Sequence, residues 1–259
     1  MNPILPTGPN DYPPENPADT PPPAAPIIIH PPLNRVWVTW AIIGITVLVY
    51  LLQSASNLLL RADYFAYWGM KINAFILQGQ VWRLLTPVLL HGSLLHIGFN
   101  MYFLSRIGPG LEKHYGSGRF LALYLATAFT GNVLSYLFTA ANSLGASTAI
   151  FGLVAAYAML IYRNRRFFVN PRGALTNIAT TILVNLALGL SAGIDNFGHL
   201  GGLLGGLAIG WFGGPQLGLK QISDGYHVFD QRPARDFALV VGTVVIVFAL
   251  LAAGKAILI

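Results

Sequence analysis

The chain contains no cysteine among its 259 residues. That excludes disulfides, thiol nucleophiles and thiolate-held metals. Charge is nearly as scarce. Asp, Glu, Lys and Arg make up 9% of the residues, while 54% are hydrophobic. Ordinary soluble domains carry about 25% charged residues. A soluble fold of this size has no polar skin to hide so much apolar surface, so a membrane protein is expected. The net charge of +6 does not form a patch on a polar domain. Its Lys and Arg residues separate apolar runs, so the bilayer and not nucleic acid is the expected partner.

Proline is scarce except at one end. Twelve of the 17 prolines fall within residues 1–33. This composition neither forms a helix nor buries much surface, and a disordered or polyproline tail is expected there. No basic stretch leads into an apolar run near Met1, and the tail has no Arg, so neither a secretory leader nor a transit peptide is expected.

What the chain does have is long apolar runs. Seven are expected to span the bilayer: Val36–Leu52, one within Leu84–Ile107, Phe120–Leu137, Ala149–Tyr162, Ala174–Leu190, Gly198–Phe212 and Phe237–Ala256. The expected fold is an all-α polytopic bundle. With the N-terminus cytoplasmic, eleven of the 15 Lys and Arg residues fall on the inner side. The positive-inside rule then puts the C-terminus outside, with a bacterial plasma membrane as the expected setting. The stretch from Gln53 to Trp82 reads as an outer loop, and its Tyr and Trp content suits the interface. No internal repeat is apparent, which counts against an inverted-repeat transporter.

Polar groups at membrane depth are costly and mark candidate sites. Ser147 lies 15 residues before Tyr162, at the inner end of the fourth span. At 1.5 Å per residue that is about 22 Å, which leaves Ser147 roughly 8 Å below the outer face of a core about 30 Å thick. His199 lies 14 residues before Gly213, or about 21 Å above the inner end of the sixth span. A serine and a histidine thus reach one depth from independent anchors. Gly198, Gly202, Gly206 and Gly210 form a row along the sixth span, and Gly201 and Gly205 a second row. Such rows let helices approach closely.

An imidazole beside a serine hydroxyl makes a nucleophile. Gly145-Ala146-Ser147-Thr148 places Ser147 at a helix start, where backbone N–H groups are free to meet negative charge. His96 and Asn100, four apart, share a helical face and can both donate to an oxyanion. Plainer readings stand beside these: Ser147 as a helix cap, and His96 and Asn100 as interhelical bridges. His91 is five residues from His96 with no Glu between them, which does not match a helical zinc motif. Asp195, four before His199, is read as a solvated loop charge. His30, His114 and His227 fall in the tail and inner loops, where solvated roles are expected.

These residues resemble the rhomboid family of intramembrane serine proteases, from about Val81 to Phe212. The likeness rests on Trp82-Arg83, on His91, His96 and Asn100, and on Glu112 within Gly108–Gly118. It rests further on Gly145-Ala146-Ser147 with Phe151-Gly152, and on His199 with Gly202 and Gly206, all in the family's order. The resemblance implies a Ser147–His199 dyad without a third acid. It implies an oxyanion site of His96, Asn100 and the Ser147 N–H, and structural roles for Trp82, Arg83, His91 and Glu112. It implies no metal or organic cofactor, and transmembrane protein substrates cut near the outer interface. Residues 34–214 would form a six-helix core, and residues 215–259 an inner loop and an appended seventh helix. One position departs from the pattern: Thr148 follows the nucleophile where the family commonly has Gly. A β-branched side chain there bears on substrate entry and rate.

Overall fold

The computed structural model describes residues 28–190 and 193–258. Each expected apolar run falls on one helix of 17 to 25 residues. In chain order the helices are α1 (Val38–Leu60), two short helices α2 (Tyr64–Gly69) and α3 (Asn73–Leu77), α4 (Leu94–Tyr115), α5 (Ser117–Phe138), α6 (Ser147–Arg163), α7 (Pro171–Leu188), α8 (Asn196–Phe212) and α9 (Ala234–Leu258). By length and composition α1, α5 and α9 are long and apolar enough to cross a membrane, and α6 is a shorter apolar helix.

Two boundaries differ from the sequence expectation. The first helix runs on to Leu60, because nothing between Gln53 and Leu60 breaks it. Arg61, at φ +58°, ends it in the left-handed region. The loop expected on the outer side is correspondingly shorter and carries α2 and α3. Conversely, Val81–Leu89 is not part of the second span. It makes two 3₁₀ turns, with Pro87 early in the second, and α4 begins only where Ser93 accepts a hydrogen bond from the His96 N–H. Proline fixes φ and lacks an N–H, so a regular helix does not extend back through it.

The expected inner loop contains a hairpin. Strands β2 (Leu217–Ile222) and β3 (Gly225–Asp230) pair antiparallel, and a two-residue strand β1 (Ile29–His30) joins β3 in parallel. The Pro-rich segment lies outside the described residues through position 27. Its last residues are held in this sheet. The hairpin is fastened to the neighbouring helix ends: Arg119 pairs with Asp230, Arg232 donates to Phe212 O and Gly214 O, and Asn164 donates to Pro215 O.

At the centre, α5, α6 and α8 pack as a trio. Leu123, Leu153 and Ile209 are fully buried there, and Leu104 and Leu111 extend the core onto α4. Both glycine rows act at this junction. A Cβ on Gly202 would fall 2.0 Å from the Thr148 carbonyl oxygen, and one on Gly206 2.0 Å from that of Gly152. On the second row, a Cβ at Gly205 would meet Thr130 Oγ1 at 2.2 Å. One row therefore seats α8 on α6 and the other seats it on α5, at backbone separations that only glycine permits.

Candidate active site

The start of α6 is set by its preceding residues. Gly145 sits at φ +133°, a conformation that side chains strain. Its N–H donates to Pro87 O (2.9 Å), and the Ala146 N–H points to His91 Nε2 (3.4 Å). A Cβ at Gly145 would also collide with the His96 ring, at 2.7 Å from Cε1 and 2.8 Å from Nε2. Glycine here serves both the turn and the approach of His96 to the start of α6. Ala146 caps α6 without a side-chain acceptor, so first-turn N–H groups are left for another acceptor.

His199 lies one turn into α8. Its Nε2 is 2.9 Å from Ser147 Oγ. With Nε2 unprotonated, the ring is placed to accept a hydrogen bond from the serine hydroxyl. Phe151, one turn after Ser147, stacks on the imidazole with centroids 4.2 Å apart and planes 9° from parallel. The stack restricts ring rotation to a plane that keeps Nε2 on the serine. His199 Nδ1 is buried and without a hydrogen-bond partner among the described residues.

His96 and Asn100 line the same cavity of about 990 Å³ as Ser147 and His199. Asn100 is buried, and its Nδ2 has no partner among the described residues. An unpaired buried amide is costly, and here it belongs to a residue lining the cavity that Ser147 also lines. His91 is excluded from this cavity's lining. It packs edge-on against His96, with centroids 5.0 Å apart, and faces the Ala146 N–H.

The remaining expected residues fall into structural positions. Arg83 is fully buried, donates to Met70 O (2.8 Å) and Gln80 Oε1 (2.7 Å), and lies over the Phe75 ring. Trp82 is half-exposed and donates from Nε1 to Trp68 O. Glu112 is buried at the foot of α1. Its carboxylate accepts from the N–H groups of Trp37, Val38 and Thr39 and from the hydroxyls of Thr39 and Ser117. It therefore caps a helix 73 to 75 residues away in sequence.

Two expectations change, for Asp195 and His114, while Thr148 lines the cavity and also packs against neighbouring glycines. Asp195 is not a free loop charge: it caps α8 by accepting from the Gly198 N–H (2.9 Å), and Ser135 Oγ donates to its other oxygen. Thr148 is buried against Gly131 and Gly198, each of whose missing Cβ would lie within 3.1 Å of its side chain. Glycines opposite it make the room. His114 is half-buried, with Nδ1 2.7 Å from Gly110 O and its ring stacked on Phe168. The role of Phe151 was not read from the sequence; its spacing of four from Ser147 was the available signal.

A family model, the Rhomboid domain, matches residues 78–216. The chain is 40% identical over 184 residues to Rhomboid protease GluP of Bacillus subtilis (strain 168), covering 71% of this chain and 35% of that protein. It is 39% identical over 176 residues to Rhomboid-like protease 1 of Toxoplasma gondii, covering 66% and 60%. It is 35% identical over 165 residues to RHOMBOID-like protein 1 of Arabidopsis thaliana, covering 63% and 41%. The chain thus spans between about a third and three fifths of the length of these relatives.

Proposed function

This integral membrane protein belongs to the rhomboid family, and from that premise we propose that it is a serine endopeptidase that cuts transmembrane segments of other proteins. The observation that carries the reading is the 2.9 Å contact between Ser147 Oγ and His199 Nε2, made across two helices beside a cavity.

In this mechanism His199 takes the Ser147 proton as Oγ attacks the scissile carbonyl. The Ser147 N–H, His96 and the unpaired Asn100 amide donate to the oxyanion that forms. His199 then passes the proton to the leaving amine, and a water molecule activated by the same imidazole releases the acyl group. Asp195 is occupied by Ser135 and the Gly198 N–H, which supports a dyad and not a triad. Orientation of the imidazole falls instead to Phe151.

Substrates are single-span proteins with small or helix-breaking residues near the outer interface. A peptide bond inside a regular helix is shielded by its own hydrogen bonds, and such residues let it open toward Ser147. The Lys and Arg distribution supports a cytoplasmic N-terminus and an outer C-terminus. The test is cleavage of a transmembrane reporter in liposomes. Wild type should cut it and Ser147→Ala should not; equal cleavage by both would reject the mechanism.

A further inference from the structure

Among the described residues two fully buried cations take no part in the proposed mechanism: Arg83 is accounted for by its bonds to Met70 O and Gln80 Oε1, and Lys71 is left. Lys71, between α2 and α3, is fully buried at the C-terminal end of α5. Its Nζ donates to Ser135 Oγ (3.0 Å) and to Thr139 O (3.2 Å). Ser135 Oγ in turn donates to Asp195, whose other oxygen accepts from the Gly198 N–H and whose backbone oxygen accepts from the His199 N–H. Every donor in this chain has an acceptor, from the ammonium through the hydroxyl to the carboxylate. Lys71 also holds the other side of the site. Its backbone makes a two-way bridge with Ser143, four residues before the nucleophile: Lys71 N to Ser143 O (2.9 Å) and Ser143 N to Lys71 O (3.2 Å).

We propose that Lys71 is a positioning residue for the dyad, holding the α8 cap through Ser135 and Asp195 while its backbone holds the segment that leads into Ser147. The inference rests on the reading of Ser147 and His199 as a catalytic pair. Both halves of the site hang on one residue of the outer loop, so their separation depends on it. A buried ammonium is tolerated there because it meets the negative end of α5 and, one hydroxyl away, a carboxylate.

The link depends on charge and so on pH. The charged groups facing Lys71 are Asp195, before α8, and Lys255, from α9, which donates to Tyr136 O and Leu137 O at the same helix end. Burial lowers the Lys71 pKa to about 8, opposed by Asp195 and reinforced by Lys255. The ammonium form therefore prevails below about pH 8, and as pH rises through it the link loses its charge assistance and weakens. Lys71→Met removes the charge at every pH, and Lys71→Arg keeps it through the alkaline range.

The test is the initial rate of Ser147 labelling by a fluorophosphonate, measured from pH 6 to 10 on the full chain in detergent, with thermal unfolding as the folding control. Wild type should lose rate as pH rises through about 8. Lys71→Met should be slower at pH 7 by roughly ten- to a hundred-fold, as expected for a small misplacement of reacting groups, and should show no alkaline fall. Lys71→Arg should restore the neutral rate and move the fall upward. Should Lys71→Met not fold, Ser135→Ala cuts the same link with Lys71 left in place, and it should lose both the rate and the alkaline fall. Folded Lys71→Met or Ser135→Ala with the wild-type rate and profile overturns the proposal. Failure of wild type itself to label, with no difference from Ser147→Ala, overturns the dyad reading instead, and this inference falls with it.

Discussion

Two helices flank α6, and they are packed in opposite ways. Nine residues of α8 are buried, six of them glycines, and its backbone lies against those of α5 and α6. Not one residue of α7 is fully buried. The proposed chemistry follows the same division. His199 rides on the tight helix, while α7 contributes Thr181, Ile182, Asn185 and Leu188 to the cavity wall and nothing to the dyad. A hydrogen bond between two helices needs their axes fixed to a fraction of an ångström, which close-packed glycine supplies. A wall that, on the proposed function, admits a peptide segment has no such requirement.

The contrast can be broken most severely on α8. Gly206→Val places its Cβ 2.0 Å from the Gly152 carbonyl oxygen. It should abolish fluorophosphonate labelling and lower stability by about 3 kcal/mol or more, read by thermal unfolding. Retained labelling would mean that the helix contact is softer than its geometry indicates.

Gly145→Ala should separate position from stability. The new Cβ strains a backbone at φ +133° and meets His96. Labelling should fall about a hundred-fold, while the unfolding midpoint reports a loss of only about 1–3 kcal/mol. Thr148→Gly, which restores the common family residue, removes a side chain packed against Gly131 and Gly198. Its expected cost is about 1–2 kcal/mol with reporter cleavage largely kept. A large gain in cleavage would show instead that Thr148 obstructs the substrate. The smallest effect belongs to α7: Leu183→Ala, on a residue that is 66% exposed, should change stability by less than about 0.5 kcal/mol.

Ser147 and His199 were legible because each lies a countable distance from an anchored helix end, and helical rise converts that count to depth. The two glycine rows were legible because a period of four marks one face. The start of α4 was not: Leu84–Leu90 is as apolar as a span, and only Pro87 and the turn chemistry that follows divert it into 3₁₀ geometry. The hairpin carried a signal, Ser223-Asp224-Gly225 between Ile222 and Tyr226, that the surrounding membrane helices outweighed. The Lys71, Ser135 and Asp195 chain left none. Its partners are separated by 64 and 60 residues, and each side chain alone reads as an ordinary polar residue.

The central claim is that Ser147 is an activated nucleophile and His199 its base. The most direct measurement is fluorophosphonate labelling of folded wild type, Ser147→Ala and His199→Ala at pH 7. The account predicts labelling of wild type alone. Equal labelling of His199→Ala would contradict it, because the serine would then be activated by something other than the imidazole 2.9 Å away.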